Sequence, residues 1–295
     1  MAAGLLFVLI WASAFTSARF IVLEWSPLGA LALRFIIAAP LVFLVVLAIG
    51  RLKVPSRADA LRLALMGVFG TGGYLACAWL AMETTPSGLV ALISAIAPLF
   101  VALGERLFFS QRLGARAWAG LGLGWAGVAL LGISRAGEGL GAVELGGILL
   151  ALAGALSQAI GVLCFAPARG RVDAWTANLG QTLGAGVTLT LLALILGVPL
   201  PNTLSLNVAL GLAWTILVVG LAGYALYFLM LRRLPPATAS ALQLLAPPIA
   251  ALLGWALLDE RLLLSDLAGG AVTLAGLALL VSARRAGPVP VTKPD

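Results

Sequence analysis

The 295-residue chain contains no histidine and only two cysteines. Histidine is the commonest metal ligand and the usual general base near neutral pH, so its absence removes most metal-assisted and nucleophile–base chemistries. Cys77 and Cys164 both lie inside apolar runs, where two thiols build neither a disulfide framework nor a metal site. No Walker loop, HExxH motif or paired intramembrane aspartates occur. No catalytic residue, cofactor or metal is therefore expected, and the chain reads as a non-enzyme. Charge is scarce as well: 10% of residues are charged, against about 25% in an average soluble domain.

Apolar sequence fills the space that these groups leave. Hydrophobic residues make up 62% of the chain and the mean hydropathy is +1.12. A bilayer-crossing helix needs about 20 apolar residues, and cutting at charges, prolines and polar breaks yields ten such segments. They are expected near 4–22, 28–49, 62–82, 87–108, 116–134, 144–166, 174–197, 206–231, 236–258 and 264–282. The 35 glycines suit close helix packing in lipid. The opening "MAAGLLFVLIWASA" lacks the basic start of a signal peptide and reads as the first span. The fold class is an all-α polytopic membrane protein whose main partner is the lipid bilayer. The net charge of +7 fits topology anchors better than a nucleic-acid partner, and no obligate protein partner is evident.

The chain also matches itself. Shifted by 149 residues, 97–131 and 246–280 are identical at 13 of 35 positions, several-fold more than this composition yields by chance. Pro98 meets Pro247, Arg112 meets Arg261 and Ala126-Gly127 meets Ala275-Gly276. With one gap, "GGYLA" at 72–76 meets "AGYAL" at 222–226. The expected units are residues 1–136, residues 137–285 and a short tail, 286–295. Five helices per unit is odd, so the second unit enters the membrane from the opposite face, the inverted-repeat plan of many secondary transporters. With a cytoplasmic N-terminus, 14 of the 18 basic residues fall on the cytoplasmic side and only Arg135 and Arg261 in outer loops. That bias puts both termini in the cytoplasm.

The ten-helix plan, "WASAF" in the first span and "LLAPPIAALLGWALLDERL" at 244–262 resemble the drug/metabolite transporter superfamily, EamA type. The likeness covers nearly the whole chain, and the proline thirteen residues before Glu260-Arg261 is its most specific part. Among family members it most resembles the YddG-type amino-acid exporters. The resemblance implies a bacterial inner-membrane protein with a central cavity that moves small organic metabolites, often outward and plausibly aromatic amino acids, by alternating access. A channel, or a membrane scaffold or enzyme, is the alternative. In the first half Gln111 stands where the motif has its glutamate, and Glu105-Arg106 is an extra pair one to two turns earlier that reads as an interfacial anchor.

Candidate site residues follow from the pseudo-two-fold axis, around which equivalent positions should line the substrate cavity. They are Phe15 with Gln158, Tyr74 with Tyr224, and Ser94 with Gln243, joined by Tyr227 one turn from Tyr224. Such a set suits an amphiphilic small molecule. Arg19, Arg34 and Glu83 lie near the outer ends of the first three spans and read as an outer gate or as a clamp for a zwitterion. Pro98, Pro247 and Pro248 are expected to kink the fourth and ninth spans, and Glu260 and Arg261 to mark the outer end of the ninth. Asn178 and Gln181 share a helix face and read as a polar cement. Trp11, Trp25, Trp118 and Trp175 read mostly as interfacial aromatics.

Overall fold

The computed structural model describes residues 2–110, 113–137, 142–198, 204–223, 226, 245–260 and 263–285. Among them there is no strand, and the helices fall into ten stretches: α1 (Ala2–Val22), α2 (Pro27–Ala48), α3 (Arg57–Ala81), α4 (Ser87–Phe108), α5 (Ala115–Gly137), α6 (Ala142–Phe165), α7 (Ala174–Ile195), α8 (Leu206–Gly223), α9 (Ala246–Leu258) and α10 (Leu264–Arg285). Eight of the described helices are long and apolar enough to cross a bilayer, and α9 is a shorter apolar helix. Many large apolar side chains face outward, including Leu44, Leu194 and Leu252, as expected where the surrounding medium is lipid.

Local sequence explains several boundaries. The Ser56 hydroxyl accepts from Asp59 N–H, so α3 starts five residues earlier than the charge pattern suggests. Asp173 caps α7 through the amides of Trp175 and Thr176, and Ser205 caps α8 through Val208 N–H. At the far ends of α2 and α7, Gly50 and Gly197 adopt positive φ. The amide after each glycine bonds back five residues, Arg51 to Val46 and Val198 to Ala193. This is the Schellman ending for which glycine is suited.

Helices α4 and α9 correct the expectation of a proline kink. Residues 95–96 break α4 into Ser87–Ser94 and Ala97–Phe108, and Pro98 occupies the first turn of the second piece. Pro247 and Pro248 sit likewise in the first turn of Ala246–Leu258. Proline lacks the N–H that a first turn leaves unused, so the prolines start new helix segments instead of bending continuous ones. Pro40, by contrast, lies inside an unbroken α2.

The 149-residue shift recurs in three dimensions. Ser56 and Ser205 both cap helices. Ala97 and Ala246 both begin helical segments with proline in the first turn. The two non-glycine residues with positive φ among those described, Ser110 and Asp259, are again 149 apart. Both α3 and α8 contain a π-helical stretch, Met66–Gly73 and Trp214–Gly223. The equivalent helices α5 and α10 pack along their length in opposite directions, Gly120 against Leu280 and Gly127 against Thr273. A methyl group built on Gly120 would lie 2.7 Å from the Leu280 nitrogen, so glycine is what permits this approach. Equivalent helices running antiparallel define two inverted five-helix repeats.

Candidate functional site

The central cavity, about 200 Å³, is walled by α1, α2 and α3 from one half and by α6, α7 and α8 from the other. Four of the expected residues meet in it: Phe15, Arg34, Tyr74 and Gln158. Arg34 is held by the ring faces of Phe35 and Trp79, 5.3 Å and 5.8 Å from its guanidinium carbon. Its Nη2 donates to the carbonyl of Thr215 at 3.3 Å. That carbonyl opens the π-helical stretch of α8. Outside the cavity wall the Ser157 hydroxyl of α6 donates to Phe69 O in the π stretch of α3, at 2.8 Å. The wider π turn offers its carbonyls to side chains, and such turns concentrate at functional sites.

A second polar group lies near the start of α7. Thr71 Oγ1 donates to Gln181 Oε1 at 3.3 Å, and Gln181 Nε2 donates to Asn178 Oδ1 at 3.1 Å. Asn178 is 2% exposed and its Nδ2 has no hydrogen-bond partner. The pair is therefore more than cement: all three residues belong to the cavity wall. Trp11 lines the cavity too, and Trp25 is buried in the core, so neither is an interfacial aromatic. Trp118, 51% exposed, keeps that role.

Glu260 organises one end of the molecule. Its carboxylate accepts from Ser87 N–H at 2.7 Å, the Ser87 hydroxyl at 2.9 Å and Gly88 N–H at 3.3 Å. These amides begin α4, whose preceding residue, Pro86, supplies no side-chain cap. The second half thus caps a helix of the first half, and the carboxylate also meets the positive end of the helix dipole. Arg19 at the end of α1 completes the cluster, its Nε 3.8 Å from Oε1. Gly254 makes room for it: a methyl there would lie 3.0 Å from Ser87 Oγ and collide with the Glu260 carboxylate. Ser87, Gly88 and Gly254 escape a reading by residue type. The N-cap proline of α4, which leaves its first amides without a local cap, is the signal that points to them.

The other end is held differently. Asp59 accepts from Arg171 at 2.6 Å and from Arg62 at 3.0 Å, tying α3 to the turn before α7, and Lys53 lies 4.0 Å from Asp173. Hydrogen bonding to Asp59 holds the Arg171 proton more tightly than usual. Partial burial pushes the Asp173 carboxyl up. The Thr176 hydroxyl, the two capping amides and Lys53 outweigh it and hold the group below the usual range.

Three further groups of expected residues lie away from the cavity. Glu83 is exposed on the turn after α3 and does not join Arg19. Ser94 is buried at the end of the first α4 segment, outside the cavity wall. Pro98, Pro247 and Pro248 lie at helix starts, as described above. Tyr224, Tyr227, Gln243 and Arg261 lie outside the described residues.

Two inverted five-helix repeats around a cavity with few polar groups define a membrane transporter. The EamA-like transporter family model matches residues 1–133 and again 145–282. The chain belongs to this family. It is 30% identical over 265 residues to the uncharacterized inner membrane transporter YedA of Escherichia coli K12, covering 88% of this chain and 83% of that one. An uncharacterized transporter of Archaeoglobus fulgidus is 27% identical over 290 residues, covering 94% and 96%. A solved crystal structure shares the fold, with a TM-score of 0.65 and 24% identity over 96% of each chain. The protein is an integral membrane protein of the bacterial inner membrane.

Proposed function

We propose that the protein is a secondary transporter that exports amino acids, aromatic ones among them, by alternating access, and that it is not an enzyme. The observation that carries this reading is the cavity wall: among the described residues the cation Arg34 and the amides Gln158, Gln181 and Asn178 stand among Trp11, Phe15, Tyr74 and Trp79. Arg34 suits a carboxylate, and the aromatic faces suit an ammonium group or an aromatic ring. The repeats, residues 1–136 and 137–285, rock against each other, with helix ends closing first one side and then the other. The break in α4 serves as a hinge. Both termini and the tail 286–295 are cytoplasmic, so the Glu260 cluster closes the outer end and the Asp59 cluster the inner end.

Counterflow in proteoliposomes loaded with aromatic amino acids tests the proposal. Saturable exchange is expected, and Arg34→Gln should abolish it for carboxylates. Gln158→Ala should raise half-saturation about fivefold, the worth of a lost hydrogen bond of about 1 kcal/mol. Flux that neither saturates nor shows counterflow would make the protein a channel. Exchange unaffected by Arg34→Gln would exclude the carboxylate reading.

A further inference from the structure

Away from the cavity, an open apolar groove of about 450 Å³ lies between α3 and α7. Ala60 and Ala64 form one side and Gly180 and Gly184 the other. A methyl on Gly184 would lie 3.0 Å from Ala64 O, so the helices are already in contact along the floor. Leu183 and Val187 remain 47% and 60% exposed along the rim. A groove of this kind on a membrane helix pair takes up a lipid chain, but apolar surface alone does not choose among lipids.

The mouth makes the choice. Lys53 lines the groove there, with its side chain 65% exposed and Asp173 no nearer than 4.0 Å. Arg57 is exposed and lies three residues before Ala60 and seven before Ala64, on the same helix face. The nearby carboxylates balance only part of this charge: Asp173 faces Lys53 at 4.0 Å and Asp59 is shared by Arg62 and Arg171, which leaves Lys53, Arg57, Arg62 and Arg171 against two carboxylates. Charge is therefore in excess where a lipid headgroup would sit.

We propose that this groove is a binding site for an anionic phospholipid, one acyl chain lying between α3 and α7 and the headgroup phosphate over Lys53 and Arg57. The lipid would bridge the two halves beside the Asp59 cluster. A cation near a membrane surface attracts an anionic headgroup about fivefold.

Native mass spectrometry of the full chain in detergent tests this with phosphatidylglycerol and phosphatidylcholine of identical acyl chains, mixed equally. Phosphatidylglycerol should be retained in preference, and Lys53→Ala with Arg57→Ala should erase the preference, about fivefold for each cation removed. Ala60→Trp, which fills the groove, should lower the occupancy of both lipids. If that variant does not fold, Lys53→Glu should by itself abolish the preference, its fold checked by melting temperature. Glycerol phosphate at the same concentration should leave lipid occupancy unchanged. Equal retention of the two lipids overturns the proposal, as does a preference that survives the double variant. Displacement by glycerol phosphate would make the mouth a simple anion site and overturn it as well.

Discussion

The two ends of the bundle are closed by carboxylates in opposite circumstances. Glu260 is buried, with its side chain 7% exposed, and joins α1, α4 and α9 through backbone amides, a hydroxyl and Arg19. Asp59 is buried too, but its partner Arg171 is 57% exposed and joins only α3 and the turn before α7. Removing a buried carboxylate leaves its donors unsatisfied in a dry site, whereas water readily replaces an exposed guanidinium. The Asp59 end is therefore the more readily hydrated of the two, and the Glu260 end is the more tightly tied.

The largest effect should come from Glu260→Ala. It leaves the first amides of α4 and the Arg19 guanidinium without their acceptor, a loss of about 3–5 kcal/mol, read as melting temperature in detergent. Asp59→Ala should lower it less, and equal losses would break the comparison. Gly254→Ala comes next. Its methyl displaces the Glu260 carboxylate, and overpacking of this kind costs about 1–3 kcal/mol. A variant as stable as the parent would show that the cluster has room to move.

Salt sharpens the contrast further. At 1 M ionic strength the screening length falls to about 3 Å. The penalty of Asp59→Asn should then shrink, while that of Glu260→Gln should persist. The smallest effect concerns Asp173. Its folded pKa is depressed, so the stability it adds is present above the unfolded value of about 3.9 and lost as pH falls through the lower folded value. Asp173→Asn keeps an N-cap but removes the charge. Parent and variant should differ slightly and constantly from pH 5 to 8 and converge on acidification below about pH 4. A gap that widens on acidification would reverse the sign.

Much of the fold is legible in the chain because the repeat has a register. A shift of 149 residues locates Ser205 from Ser56 and Asp259 from Ser110, although the second pair has no chemistry in common. Span positions are legible because apolar length is what lipid demands. The break in α4 is not, because a proline in mid-span reads equally as a kink or as a first turn, and only the hydrogen bonds around residues 95–96 decide. The π stretches are hidden too, since a backbone that adds one residue per turn changes no composition. In the site, Phe15, Tyr74 and Gln158 are found by asking which polar or aromatic groups face the pseudo-axis, and Arg34 because a charge inside an apolar span is costly and marks a pathway. Ser87 is missed because its partner lies 173 residues away and its own neighbourhood reads as an ordinary helix start. Trp11 is misjudged because an indole suits both a headgroup region and a cavity wall.

The antiparallel pairing of α5 with α10 has a consequence for history. Two copies of one five-helix chain, inserted in opposite directions, would meet along these same helices, and every residue would close both faces of the membrane equally. Such a dimer has no preferred direction. Joining the copies into one chain lets them drift apart, and the pair Glu260 and Gln111 marks where they have done so. A carboxylate on one side and an amide on the other leave the fused protein with two unlike ends, a difference that its symmetric forerunner could not have possessed.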